Sequence, residues 1–173
     1  EEETTPIAIL GRPNVGKSSL LNAILGEERA IVDQAPGTTR DAIDTTLSWG
    51  EETLTLIDTA GIRRRGRVRP GLERYGVLRA LRAISRADVA LLVLDGTEGV
   101  TSQDAHIAGY ILEEARGVAL VVNKWDLVPK ESETQRQYTL WIRESVPFLS
   151  YAPILFVSAL TGERVQETVE VAL

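Results

Sequence analysis

From Pro6 onward, short apolar runs alternate with longer segments of helical spacing. Ile7–Leu10 reads as a strand closed by Gly11, and Leu54–Ile57 as another ending at Asp58. Val89–Leu94, Val118–Val122 and Ile154–Val157 are runs of the same kind. Unbroken apolar strands separated by helices are covered on both faces, which indicates a mainly parallel sheet in an α/β fold. Ala42–Trp49 differs: its alternation and β-branched residues predict an edge strand, with Gly50-Glu51 as a hairpin turn into the next strand. Helices are predicted over Ser18–Leu25, capped by Gly26, and over Leu72–Ile84, with Leu72, Tyr75, Val77, Leu78 and Leu81 on one face. Others are expected over Ser102–Ala115, with Ile107, Ile111 and Leu112 inward, over Ser132–Val146, and from Gly162 through Val171. Glu27–Arg40, with its Pro36-Gly37, reads as a loop, and another surrounds Pro129. Arg63–Gly71 cannot be a stable helix, because it holds Gly66, Pro70 and Gly71.

Composition narrows the class. A chain of 173 residues suits one domain, and 43% apolar with 25% charged residues excludes disorder and coiled coil. No apolar run approaches the roughly 18 residues that span a bilayer, and no signal-peptide pattern is present, so no membrane is expected and the cytoplasm is the expected location. The lack of cysteine excludes disulfide scaffolds and thiol catalysis, and the lone His106 reads as a helix-surface residue. Trp49, Trp125 and Trp141 read as packing residues. Residues 1–5, Glu-Glu-Glu-Thr-Thr, are expected to be an acidic linker remnant before a single domain over residues 6–173, and the absence of methionine points to a piece of a longer chain. The net charge of −6 conceals nine arginines between Arg63 and Arg86 against one acid, Glu73. That segment is either a solvated face or a surface for phosphate or RNA, and charge alone leaves both open.

Three motifs carry chemistry. Gly11-Arg12-Pro13-Asn14-Val15-Gly16-Lys17-Ser18 is G-x-x-x-x-G-K-S between a strand and a helix, the context a P-loop demands. Its backbone N–H groups and the helix N-terminus suit phosphate oxygens, with Gly11, Asn14, Val15, Gly16, Lys17, Ser18 and Ser19 as the cradle. Lys17 supplies a point charge between the outer phosphates, and Ser18 a hydroxyl for Mg²⁺. Asp58-Thr59-Ala60-Gly61 ends a strand, where Asp58 can hold Mg²⁺ through water and the Gly61 N–H can meet the γ-phosphate. Asn123-Lys124-Trp125-Asp126 ends another strand. A carboxylate there accepts both N1–H and N2–H₂ of guanine and repels the bare N1 of adenine, which argues against an ATP enzyme. The Lys124 stem can cover the base, and backbone N–H groups of Ser158-Ala159-Leu160 can reach guanine O6. Thr38 or Thr39 would complete the Mg²⁺ shell, and spacing does not choose between them. All these positions lie at strand carboxyl ends or in the loops after them, where ligands of open parallel sheets bind.

The order GRPNVGKS, TT, DTAG, NKWD, SAL resembles the five G motifs of translation-factor-type GTPases, close to the Era-like branch, over nearly the whole chain. PGTTRD, DTAGIRRRG, Glu73-Arg74-Tyr75 and LRALRAI are similar to the second G domain of the double-Era GTPase family, Der or EngA. The resemblance implies a three-layer, Ras-like P-loop fold: a six-stranded sheet of order 2-3-1-4-5-6 with strand two antiparallel, and helices on both faces. It implies slow, Mg²⁺-dependent hydrolysis of GTP to GDP in large-ribosomal-subunit assembly, with a further G domain before residue 1 and a KH-like domain after residue 173. The ribosomal large subunit or its RNA would be the partner. The family pattern places Thr39 on Mg²⁺, and Lys17, Asn14, Thr39 and Gly61 in catalysis. Ras-like proteins carry a glutamine after D-x-x-G; here Ile62 stands there and cannot orient water. In this family that departure goes with a potassium ion held partly by the P-loop asparagine, which matches Asn14. The residues alone also permit Asn14 to be a turn former. A nucleotide-sensing domain with negligible hydrolysis, positioning its neighbours, is the rival reading.

Overall fold

A computed structural model describes residues 4–28, 30–32, 43–64, 73–115, 117–130 and 133–173. Seven strands form one sheet among them: β1 (Thr5–Leu10), β2 (Ala30–Val32), β3 (Thr45–Trp49), β4 (Glu52–Ile57), β5 (Val89–Asp95), β6 (Gly117–Asn123) and β7 (Ile154–Phe156), in the order β2-β3-β4-β1-β5-β6-β7. The apolar runs make the parallel part, with β1 between β4 and β5, then β6 and β7. β3 runs antiparallel to β4, joined through Gly50-Glu51 with Trp49 opposite Glu52. Six strands thus take the expected order. The seventh, β2, is a finding: it lies in the stretch read as a loop and pairs with β3, so β3 is not an edge. Three residues are too few to display a period, and their extended state comes from the partner strand.

The helices are α1 (Lys17–Leu25), α2 (Thr59–Arg64), α3 (Glu73–Arg86), α4 (Ser102–Glu114), α5 (Thr134–Ser145) and α6 (Val165–Ala172). Alternate residues of each central strand enter opposite layers. Ile7, Ile9, Leu91, Val93 and Val121 pack with Leu20, Leu21 and Ile24 of α1 and Val165 and Val169 of α6. Ala8, Leu10, Leu92, Leu94, Leu120 and Val122 pack with Ile84 of α3, Ala108 and Ile111 of α4 and Ile142 of α5. Both faces are therefore covered, as runs without a polar side require.

Three local expectations are corrected. A helix, α2, reaches Arg63 and Arg64, where none was expected. On α3 Leu78 is 52% exposed, and Ala83, Ile84 and Ala87 supply the buried contacts at that end of the helix. On α4 Leu112 is 44% exposed, and Asp104 joins Ala108 and Ile111 inside. In each helix an isoleucine with an alanine neighbour faces the sheet, Ile84 with Ala83 and Ile111 with Ala108, and the leucine turns outward. The acidic residues 1–3, Thr38, Thr39, Arg65, Arg67, Arg69 and Leu72 lie outside the described residues.

Candidate functional site

β1 stops at Leu10 and the chain wraps into α1 through a loop with two left-handed residues, Asn14 (φ 70°) and Gly16 (φ 98°). Such alternation turns successive N–H groups to one side, making a concavity for anions. Gly16 has no alternative: a Cβ there would collide with the Asn123 side-chain amide, and one at Gly11 would meet the Val93 carbonyl at 2.8 Å. Val15 is buried in the core and anchors the loop. Lys17 opens α1 and folds back over the loop, its Nζ donating to the Gly11 carbonyl at 2.6 Å. Ser18 and Ser19 stand exposed on the first turn of α1.

At the ends of β5, β6 and β7 the side chains are spent on one another. Asn123 is 2% exposed. Its Nδ2 donates to the Val15 carbonyl at 3.0 Å, and its Oδ1 accepts from the Ala159 N–H at 3.0 Å. It staples the P-loop to the Ser158-Ala159-Leu160 loop and, placed so, has both amide groups occupied within the protein. Lys124 is left-handed (φ 61°). Its Nζ donates to the Asn14 carbonyl and to Asp95 Oδ2, both at 2.9 Å, so its stem runs from the sheet to the P-loop. Asp126 follows, half-buried, in the turn Trp125–Leu127. Ser158 is fully buried; its Oγ accepts from the Thr161 N–H, and its own N–H donates to the Glu163 carbonyl. Two of the three amides expected at guanine O6 thus have protein partners in this structure, while Leu160 is 84% exposed.

The D-x-x-G motif has other partners. Asp58 takes a left-handed conformation (φ 52°), and its N–H donates to Asp44 Oδ1 at 2.8 Å. Its carboxylate lies 3.3 Å from Arg79 Nε of α3 and accepts the Gly61 N–H at 3.2 Å. Gly61 sits inside α2, its N–H shared with the Asp58 carbonyl at 3.1 Å. Arg86 of α3 pairs with Asp44. Ile62 packs against the core layer of α1 and α6, so the position after D-x-x-G is committed to packing.

Two participants went unread in the sequence. Asp95, 4% exposed at the end of β5, accepts from the Thr97 N–H and hydroxyl on Oδ1 and from Lys124 on Oδ2. Burial pushes its pKa up, but the Lys124 and Thr97 hydrogen bonds outweigh that, and it sits below the ordinary carboxylate value. Its signal was available, since it closes an apolar run at a strand carboxyl end as Asp58 does. Arg12, inside the P-loop, pairs with the fully buried Asp104 at 2.9 Å and with Glu98 at 2.8 Å, tying the loop to the start of α4. Burial lowers its pKa, but these acids overcome the penalty and raise it. Asp104 also closes a capping box with Thr101, a spacing that T-x-x-D announces. The Tyr138 hydroxyl donates to the Gly96 carbonyl, and burial, with Asp95 and Asp104 nearby, pushes its pKa up to about 12. Trp49 and Trp125 are buried; Trp141 is 44% exposed and lies edge-on to Tyr138, and His106 is exposed.

Among the described residues no group of three or more histidines, cysteines or carboxylates could cage a metal. A Mg²⁺ ion needs no such cage, since it keeps waters and is held by one or two protein oxygens plus phosphates. The Ser18 hydroxyl, exposed on the first turn of α1, and the half-buried Asp58 carboxylate are oxygen donors of the required kind.

A family model described as 50S ribosome-binding GTPase matches residues 6–124. The chain is 59% identical over 170 residues to GTPase Der of Caldanaerobacter subterraneus subsp. tengcongensis, covering 98% of this chain and 39% of that protein. It thus spans about two fifths of the length of such curated relatives. Among solved structures it is similar to Era in complex with MgGDPNP and nucleotides 1506–1542 of 16S ribosomal RNA, with TM-score 0.73 and 30% identity over 98% of this chain and 56% of that one. It is also similar to the G domain of the T. maritima FeoB iron transporter, with TM-score 0.60 and 26% identity over 98% of this chain and 97% of that chain.

Proposed function

Since the chain belongs to the 50S ribosome-binding GTPase family, we propose that residues 6–173 form one G domain that binds Mg²⁺·GTP and hydrolyses it slowly to GDP and phosphate. The observation that supports this most is the pair of bonds from Asn123 and Lys124 to the carbonyls of Val15 and Asn14. They bring the phosphate loop and the N-K-x-D turn within one nucleotide's reach. On this reading Gly11, Asn14, Val15, Gly16, Lys17, Ser18 and Ser19 hold the phosphates. Ser18, Asp58 and Thr39 hold Mg²⁺, which offsets phosphate charge when bound. Lys124 and Asp126 contact guanine, Asn123 holds the two loops together, and Leu160 with its neighbours faces O6.

In the longer relatives' setting this domain is the second of two G domains with a KH-like domain after it, acting in the cytoplasm as a switch in large-subunit assembly. The similarity to GTPase Der supports that placement, and among the described residues no helix is long and apolar enough to cross a membrane. The arginine-rich stretch from Arg63 to Arg86 supplies positive charge for ribosomal RNA; within it Arg79 and Arg86 are paired with Asp58 and Asp44, while Arg82 is exposed on α3. With Ile62 packed inward, a potassium ion at Asn14 is the candidate for offsetting charge in the transition state. One feature favours the rival, a nucleotide sensor with negligible turnover: Arg79 and Gly61 occupy the Asp58 carboxylate.

The test is nucleotide titration and phosphate release on the chain itself. GTP and GDP bind, ATP does not compete, and phosphate appears faster in potassium than in sodium at equal ionic strength. ATP competing equally with GTP would remove the guanine reading, binding without phosphate release would leave the sensor, and turnover indifferent to the cation would remove potassium.

A further inference from the structure

Lys124 reaches across the mouth of the site and holds two partners at once, the Asn14 carbonyl and Asp95 Oδ2. The carbonyl is a neutral acceptor on a loop. Asp95 is a buried carboxylate whose place is set by the β5–β6 ladder, where Asp95 stands directly opposite Asn123. Its other oxygen is held by the Thr97 N–H and hydroxyl, at 2.9 and 2.6 Å. Every neighbour named on the carboxylate is therefore a donor. Nothing in the P-loop, D-x-x-G or N-K-x-D motifs demands an acid at this position.

We propose that Asp95 is a positioning residue for guanine-nucleotide binding: it fixes the Lys124 ammonium so that the lysine stem stands as a rigid wall of the base site. This rests on the guanine reading above. A lysine side chain loses close to 2 kcal/mol of rotamer freedom when ordered. An anchor that orders it beforehand removes that cost from the binding step. The charge-assisted bond to a desolvated carboxylate is stronger than the bond to the Asn14 carbonyl, so Asp95 is the anchor and the carbonyl the guide. An amide cannot replace it: whichever way an asparagine turned, its NH₂ would face either the ammonium or the Thr97 N–H, both donors. The base is common to GTP and GDP, so the effect falls equally on both, unlike a change on the γ-phosphate side.

The experiment measures GDP and non-hydrolysable GTP analogue affinity with Mg²⁺ for the wild-type chain, Asp95→Asn, Lys124→Ala, the double variant and Thr97→Val, with a thermal melt of each. Asp95→Asn is expected to weaken both nucleotides about ten- to thirtyfold, the cost of ordering Lys124 during binding. The double variant is expected to bind no worse than Lys124→Ala alone, since Asp95 acts through the lysine; a merely structural role would give additive losses. Thr97 is exposed, so Thr97→Val folds and decides the matter if Asp95→Asn does not: it removes one donor from Oδ1, and both affinities fall about threefold or more. Affinity of Asp95→Asn within twofold of wild type, additive losses in the double variant, or an unchanged Thr97→Val would overturn the proposal. A wild-type chain that binds neither nucleotide would instead overturn the guanine reading, and this inference with it.

Discussion

The two ends of the site are held by different physics. On the base side, Asn123, Lys124, Asp95 and Ser158 bond one another or nearby backbone across the carboxyl ends of β5, β6 and β7. Asn123 and Ser158 are 2% and 0% exposed. On the sensing side, the Asp58 carboxylate is held by its own turn and by Arg79, whose side chain is 38% exposed. Buried bonds from a rigid sheet are expensive to break, because each lost partner leaves a desolvated group. A half-exposed ion pair is worth only about 0–1 kcal/mol and exchanges readily for a metal and phosphate. On the proposed reading, a domain that recognises one base in every state, and yet registers a phosphate that comes and goes, needs both kinds of end.

This contrast is open to attack by mutation, and the largest effect belongs to the lysine shared by every nucleotide. Lys17→Ala removes the charge proposed to face the outer phosphates, with charge-assisted bonds of about 1.5–3 kcal/mol each; calorimetry is expected to show GTP and GDP affinity falling a hundredfold or more. Asp126→Asn comes next, and it probes the base side alone. GTP and GDP weaken together, while xanthosine nucleotides gain affinity, because the amide donates where the carboxylate accepted. Unequal losses for GTP and GDP in a competition assay would break the separation of the two ends.

Asn123→Ala tests rigidity rather than contact. It orphans the Val15 carbonyl and the Ala159 N–H, at about 1–3 kcal/mol each, and is expected to lower the melting temperature by several degrees before any nucleotide is added. The smallest effect lies on the sensing side. Arg79→Ala frees the Asp58 carboxylate, so Mg²⁺-dependent GTP-analogue affinity should rise by no more than about fivefold with GDP nearly unchanged. A loss of GTP-analogue affinity in that variant would mean Arg79 supports the site instead of competing for it.

Much of this was legible in order and spacing. Ile7–Leu10, Val89–Leu94 and Val118–Val122 read as doubly covered strands because an unbroken apolar run has no polar side to show water, and both layers duly cover them. G-x-x-x-x-G-K-S read as a phosphate loop because Gly16 and Lys17 answer local demands of backbone shape and charge. β2 was not legible, since three residues carry no period and their pairing is supplied by β3. Nor were the outward turns of Leu78 and Leu112, because a helix can rotate any apolar stripe toward the face with the closer fit.

The sequence by itself determined the layer plan, the succession of strand and helix, and which residue types stand at the strand ends, since these follow from periodicity and from chemistry within a few residues. Only the tertiary structure decided what those residues touch. That Asn123 spans from Val15 to Ala159, that Lys124 ends on Asp95, and that Asp58 turns to Arg79 are facts about partners between 21 and 108 positions apart. A local pattern holds no record of such distances, because they are set by which strands lie side by side and how closely the layers pack.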